Sequence, residues 1–162
     1  MSDEITSARQ AGHDPRVLAF GRLQGAANRL EYLLGRALEQ ECGITHLMYE
    51  VLLIVGRAGE DGLTMRSIAQ EQVLTTGGAT RLVDRMESLG LVTRTHAPHD
   101  RRVQLVRLTE LGERTTVRAS RLHVANIEQY FLSPLPEEHR ERFADDLRTL
   151  SHAARDALPK LR

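Results

Sequence analysis

The apolar residues of this chain leave the helical period for a strand period in one place, and that interruption limits what the chain can fold into. Through Leu82, Met86 and Leu89 they recur at the three-to-four spacing of a helix. Immediately afterwards, Leu91 to His96 and Val103 to Leu108 read as two short strands joined by a polar, proline-containing turn. Val106 and Leu108 share one strand face, with Arg107 on the other. Thr109 then opens a new helix with no linker. A hairpin held so tightly between helices has to pack against them.

Upstream, Pro15 to about Gln40 carries Leu23, Ala27, Leu30, Leu34 and Leu38 at helical spacing, and Gly43 suits its stop. Thr45 to Arg57 forms a second helix with Leu47, Val51, Ile54 and Val55. Thr64 caps a short helix containing Ile68 and Ala69, a break follows near Val73-Leu74, and Thr75 caps the next segment, which Gly90 ends. Downstream, the helix from Thr109 reaches about Leu132, where SPLPEE interrupts it. A last helix follows with Phe143, Leu147, Leu150, Ala154 and Leu158. The fold class is therefore mainly α with a small two- to three-stranded β wing: a winged helix-turn-helix over 45–108 with helical arms at 15–42 and 109–162. Residues 1–14 read as a flexible N-terminal tail. A small winged helix cannot cover the apolar stripes of both arms, so they call for a second copy of the chain as a dimerisation region.

Composition narrows the function. Basic and acidic residues balance at 22 each, so any nucleic-acid partner must be met by local charge. Lys160 is the sole lysine, and arginine suits forked contacts to phosphate. Cys42 is the only cysteine, which leaves no intrachain disulfide and no multi-cysteine zinc site. Its neighbours Glu39 and Glu41 are acidic, not the electropositive surroundings of a reactive thiol, which counts against a redox role. No apolar run approaches the ~18 residues a bilayer needs, and the polar N-terminus lacks a signal peptide, so no membrane is expected and the cytoplasm is the default. His96-x-x-His99 beside Asp100 supplies too few ligands for a tetrahedral metal site, so no metal or cofactor is expected. Motifs for hydrolysis, nucleotide binding or metalloproteolysis are missing, and the reading is not an enzyme.

In a winged helix the second helix of the pair enters the major groove, leading with its N-terminal residues. Here that edge is TTGGATR, residues 75–81. Thr75 and Thr76 can bond phosphates or base edges, and Arg81 can fork onto guanine or phosphate. Gly77-Gly78 costs about 1 kcal/mol per residue relative to Ala. In return it lets the backbone approach another surface at a helix N-terminus that favours anions; a plain tight turn is the bland alternative. Arg101 and Arg102 at the wing tip can enter a narrow, electronegative minor groove, with Asp100 holding a neighbouring arginine. Arg94, Arg101, Arg102 and Arg107 against Asp100 alone make the hairpin a basic stretch. A winged helix used as a protein-interaction module without specific DNA binding stays open beside this reading. The zero net charge fits it; the arginine wing and the scarcity of apolar anchors there do not.

Residues 74–112, LTTGGATRLVDRMESLGLVTRTHAPHDRRVQLVRLTELG, resemble the MarR family of transcriptional regulators. Asp100, Arg102, Val106, Leu108, Thr109 and Gly112 fill the wing pattern D-x-R-x-x-x-V-x-L-T-x-x-G without a gap. The resemblance implies a homodimer whose terminal helices interlock and whose two recognition helices, about 75–89, read an inverted-repeat operator in double-stranded DNA. It implies that Thr76, Thr80 and Arg81 face bases or phosphates, and that the wing, 97–102, lies in the minor groove with Arg102 inserted. The DNA-facing set is then Thr75, Thr76, Gly77, Gly78, Thr80, Arg81, Arg85, Asp100, Arg101 and Arg102. Repression is the family's usual role, commonly relieved by a small aromatic or lipophilic effector bound between arms and DNA lobe. No motif fixes that pocket; His46 and Tyr49 are candidate polar groups there, with a surface or core-edge role the blander reading. Gly77-Gly78 departs from the polar residues many relatives carry.

Overall fold

In the computed structural model, which describes residues 4–97 and 100–158 with Arg101 as backbone alone, the chain begins with a helix where a tail is expected. Ser7 caps α1 (Ala8–His13) by accepting from the Gln10 N–H, and the Gln10 side chain reaches back to accept from the Thr6 N–H, one residue before the cap. The tail reading of 1–14 is thus corrected over Ala8–His13. Asp14 then caps α2 (Pro15–Cys42) by accepting from the Arg16 and Val17 N–H groups, with Pro15 at its first position.

Four threonines start the later helices in one way. Thr45, Thr64, Thr75 and Thr109 each accept from the N–H three residues on. They open α3 (His46–Ala58), α4 (Met65–Glu71), α5 (Thr76–Ser88) and α6 (Glu110–Ile127). A π turn at Glu128–Leu132 ends α6, and α7 spans Glu137–Ala157. Between α4 and α5, Val73 takes a left-handed φ of 51°, a conformation β-branched residues avoid. Among the described residues no helix is long and apolar enough to cross a membrane.

Strands β1 (Leu63–Thr64), β2 (Val92–Ala97) and β3 (Asp100–Leu108) form one antiparallel sheet in the order β1-β3-β2. Pairing runs from Val92 with Leu108 to His96 with Gln104, then jumps to Ala97 with Asp100. The strands thus reach further than the expected Leu91 to His96 and Val103 to Leu108. Asp100 to Arg102 belong to β3, at a bulge; residues 98–99, including His99 of the histidine pair, lie outside the described residues.

The core lies where α3, α5 and the sheet meet. Helix α3 buries Met48, Val51, Leu52 and Val55, and α5 buries Ala79, Val83 and Met86, each set one helical stripe. Ile68, Leu91, Val92 and Val106 close the space between them, and Leu38 and Ala119 tie in α2 and α6. The arms are another matter. Helix α7 buries no residue, and α2 leaves Val17 and Phe20 at 51% and 65% exposure.

Candidate nucleic-acid interface

Burying Ala79, Val83 and Met86 turns the remaining face of α5 outward. Thr75, Thr76, Gly77, Thr80, Arg81 and Arg85 are exposed, and Gly78 is half-buried. No ion pair or side-chain hydrogen bond engages the Arg81 or Arg85 guanidinium among the described residues. Both can therefore meet an anion without giving up an internal contact. The hydroxyl proton of Thr80 is committed to the Thr76 carbonyl at 2.9 Å, so Thr80 faces outward as an acceptor. A Cβ at Gly77 would meet nothing within 4 Å, whereas one at Gly78 would sit 3.2 Å from Thr75 Oγ1. Gly77 is thus not required by packing within the chain, while Gly78 eases the cap.

On the wing, the Asp100–Arg102 contact has the expected form. Asp100 Oδ1 accepts from the Arg102 N–H at 2.9 Å and from its Nε at 3.1 Å, while Oδ2 accepts from Nη2 at 3.3 Å. Those bonds to Arg102, side chain first and backbone second, pull the Asp100 carboxyl below its ordinary pKa. The Arg102 side chain is still 91% exposed, oriented by Asp100 and offered to solvent. The side chain of Arg101 lies outside the described residues.

The other two wing arginines correct the picture of a uniformly basic hairpin. Arg94 turns toward α5 and bonds Asp84 and Glu87. Arg107 donates to the Glu60 carbonyl at 2.6 Å and to the Thr95 hydroxyl, stapling β3 to the Gly59–Asp61 turn. Neither projects freely.

The last wing residues, Leu108-Thr109-x-x-Gly112, form the joint to the arm. The Leu91 carbonyl accepts from the Thr109 N–H at 3.1 Å, and Thr109 Oγ1 donates to the Gly90 carbonyl at 2.5 Å while capping Gly112. A Cβ on Gly112 would lie 1.9 Å from the Leu91 oxygen, so only glycine lets α6 seat there.

A second polar cluster sits between arm and lobe. Glu31 of α2 meets His46 of α3; His46 and Tyr49 pack against the His123 ring of α6 at centroid distances of 5.1 and 4.8 Å. The Tyr49 hydroxyl donates to Ser120 at 3.0 Å. Tyr49 is buried rather than at the surface, and His46 is half-buried. His123 Nδ1 and Asn126 Nδ2 are buried with no hydrogen-bond partner among the described residues. Desolvation, with a smaller push from His46 that Glu31 opposes, lowers the His123 pKa from its ordinary value. His123 could not be tied to His46 from sequence, because 77 residues separate them and no local spacing links the two. Cys42 is half-buried against the core. No cluster of three or more metal-ligating side chains forms among the described residues.

A family model described as MarR family matches residues 35–103. Among characterised relatives, the HTH-type transcriptional regulator PapX of Escherichia coli is 34% identical over 70 residues. That match spans 43% of this chain and 43% of PapX, less than half the length of either. Among solved structures, Sco3205, a MarR family regulator from Streptomyces coelicolor in complex with DNA, superposes with a TM-score of 0.76 at 26% identity, over 84% of this chain and 85% of that one. CouR from Rhodococcus jostii RHA1, bound to p-coumaroyl-CoA, superposes with a TM-score of 0.69 at 28% identity, over 85% and 92%.

Proposed function

Because the chain belongs to the MarR family of transcriptional regulators, we propose that it acts as a homodimeric repressor in the cytoplasm, with α5 in the major groove and the wing in the adjacent minor groove of an inverted-repeat operator. The observation that carries this reading is the leading face of α5. Thr75, Thr76 and Gly77 are exposed at a helix N-terminus, followed one and two turns later by the guanidinium groups of Arg81 and Arg85, unpaired among the described residues. Arg102, splayed from the wing by Asp100, supplies the minor-groove contact.

Dimerisation is supported by what the single chain leaves uncovered. A 21-residue helix with no buried residue gains little from its own chain, and the exposed Val17, Leu18, Phe20 and Leu23 lie along α2. A twin copy covers such surface and sets two α5 helices about 34 Å apart, one turn of DNA. Control by a small aromatic or lipophilic effector is supported by the buried nitrogens of His123, at the arm–lobe junction, and of Asn126, three residues on along α6, both without a partner among the described residues, and by the ligand found in CouR.

Binding of the purified protein to DNA upstream of its own gene, against a shuffled duplex at two salt concentrations, tests the proposal. Selective binding that weakens steeply with salt, and by roughly tenfold in Arg102→Ala, is the expected result. Equal weak binding to both duplexes, insensitive to Arg102, sinks the reading for that DNA and favours a protein-interaction module.

A further inference from the structure

We infer that Arg94 is a positioning residue: its fork onto Asp84 and Glu87 fixes the angle between the wing and α5, so that both reach their grooves in one docking event. The inference rests on the DNA-binding reading above.

The geometry is specific. Asp84 and Glu87 are three residues apart on α5 and so present their carboxylates on one helix face. On β2, Val92 is buried against the core, and alternation sends Arg94, two residues on, to the same side. Its Nη2 donates to Asp84 Oδ1 at 2.6 Å and its Nη1 to Glu87 Oε2 at 2.9 Å. Glu87 Oε1 also accepts from the Arg94 backbone N–H at 3.1 Å, so the strand itself is held, not only its side chain. Among the described residues, these are the only hydrogen bonds between α5 and strands β2 and β3. At 18% exposure the Arg94 side chain is sheltered enough for the fork to persist in salt.

The length of the wing makes its base a lever, so one residue there matters. Six strand residues span about 20 Å, so a ~10° swing at the base of the wing moves its tip by ~3 Å. A hydrogen bond to a groove atom does not survive that displacement. The fork has a second effect. Asp84 and Glu87 sit on the helix that approaches DNA, and Arg94 offsets charge that would otherwise repel phosphates. Arginine suits this place because a lysine ammonium has no rigid fork to span two carboxylates.

A double-mutant cycle on the full-length protein tests the inference. Anisotropy at fixed salt measures operator affinity for wild type, Arg94→Gln, Arg102→Ala and the double variant, with circular dichroism confirming the fold. In wild type, Arg102→Ala costs roughly tenfold; in the Arg94→Gln background its effect shrinks to within about twofold, because the wing no longer reaches its groove. Minor-groove protection from hydroxyl radicals disappears in Arg94→Gln while major-groove guanine protection persists, a split that general destabilisation does not produce. Arg94→Lys recovers little of the coupling. If Arg94→Gln does not fold, Asp84→Asn, at an exposed helix position, cuts one arm of the fork and lowers the Arg102 effect in the same direction. Equal costs of Arg102→Ala in both backgrounds overturn the inference alone. No cost of Arg102→Ala in wild type overturns the wing reading, and the inference with it.

Discussion

Gly112→Ala sets two physical effects against each other with opposite signs. Gly112 is the third residue of α6, where propensity alone favours alanine by about 1 kcal/mol. The added methyl, however, lands 1.9 Å from the Leu91 oxygen and 2.9 Å from its carbonyl carbon, against an ordinary contact of 3.4–4 Å. Backbone, not a flexible side chain, is what it meets. To clear it, α6 must move back by more than an ångström, which strains the 3.1 Å bond from the Thr109 N–H and the 2.9 Å cap on Gly112. The helix cannot retreat freely, because Ala119 two turns on is buried in the core. Overpacking costs about 1–3 kcal/mol and a weakened cap about 1 kcal/mol. Set against the propensity gain of about 1 kcal/mol, the net loss is about 1–3 kcal/mol. For a chain of this length that lowers the thermal midpoint by about 2–12 °C, measured by far-ultraviolet circular dichroism at one protein concentration. An unchanged or raised midpoint means propensity has won and the close approach at Leu91 is not what requires glycine.

Three further substitutions probe other joints. Val73, 58% exposed with a left-handed φ, carries strain that Val73→Gly releases; offset by glycine's unfolded-state entropy, the gain is about 0.5–1 kcal/mol, seen as a higher urea midpoint, and a lower midpoint refutes it. Gly77→Ala meets no atom of its own chain, so stability rises by about 0.5 kcal/mol in a thermal scan while operator affinity falls; unchanged affinity rules out close backbone docking there. His123 has a folded pKa below its ordinary 6.5, so the unfolded chain takes up the proton first. Its contribution therefore makes stability fall as pH drops from about 6.5 toward that lower value, and His123→Leu flattens urea midpoints across this range; an unaltered pH slope counts against the assignment.

The parts of the fold that were legible in the sequence are those where a local bond decides the outcome. Each threonine that precedes an apolar period caps a helix, because a hydroxyl three residues from an orphan N–H needs no distant partner. The switch of period at Leu89–Leu91 marked the wing for the same reason, and the arginine that Asp100 was expected to hold is Arg102. Ser7-x-x-Gln10 is equally local and marks α1, yet within a short polar segment composition reads as a tail. Contacts set by tertiary packing were not legible: His46 and His123 meet only once α3 and α6 are side by side.

The wing arginines lie between these cases, and they show why counting charge misleads. Arg94, Arg102 and Arg107 contribute equally to a tally of the hairpin, but strand alternation assigns them different surroundings. Arg107 stands on the outer face with Thr93 and Thr95, within reach of the Glu60 carbonyl. Arg94 shares the inner face with Val92 and finds two carboxylates already spaced three apart on α5. Arg102 lies at the irregular end of the sheet, where the register slips between the His96 and Ala97 pairs, and its side chain is exposed with Asp100 as its partner. The signal for Arg94 was present in the sequence as an inward-facing arginine after a helix with acids at 84 and 87. Reading it requires combining a period of two with a period of three to four, across the turn that joins them. A basic hairpin thus divides its labour by pleat: one arginine sets the angle, one staples the strand, and one is left to reach outward.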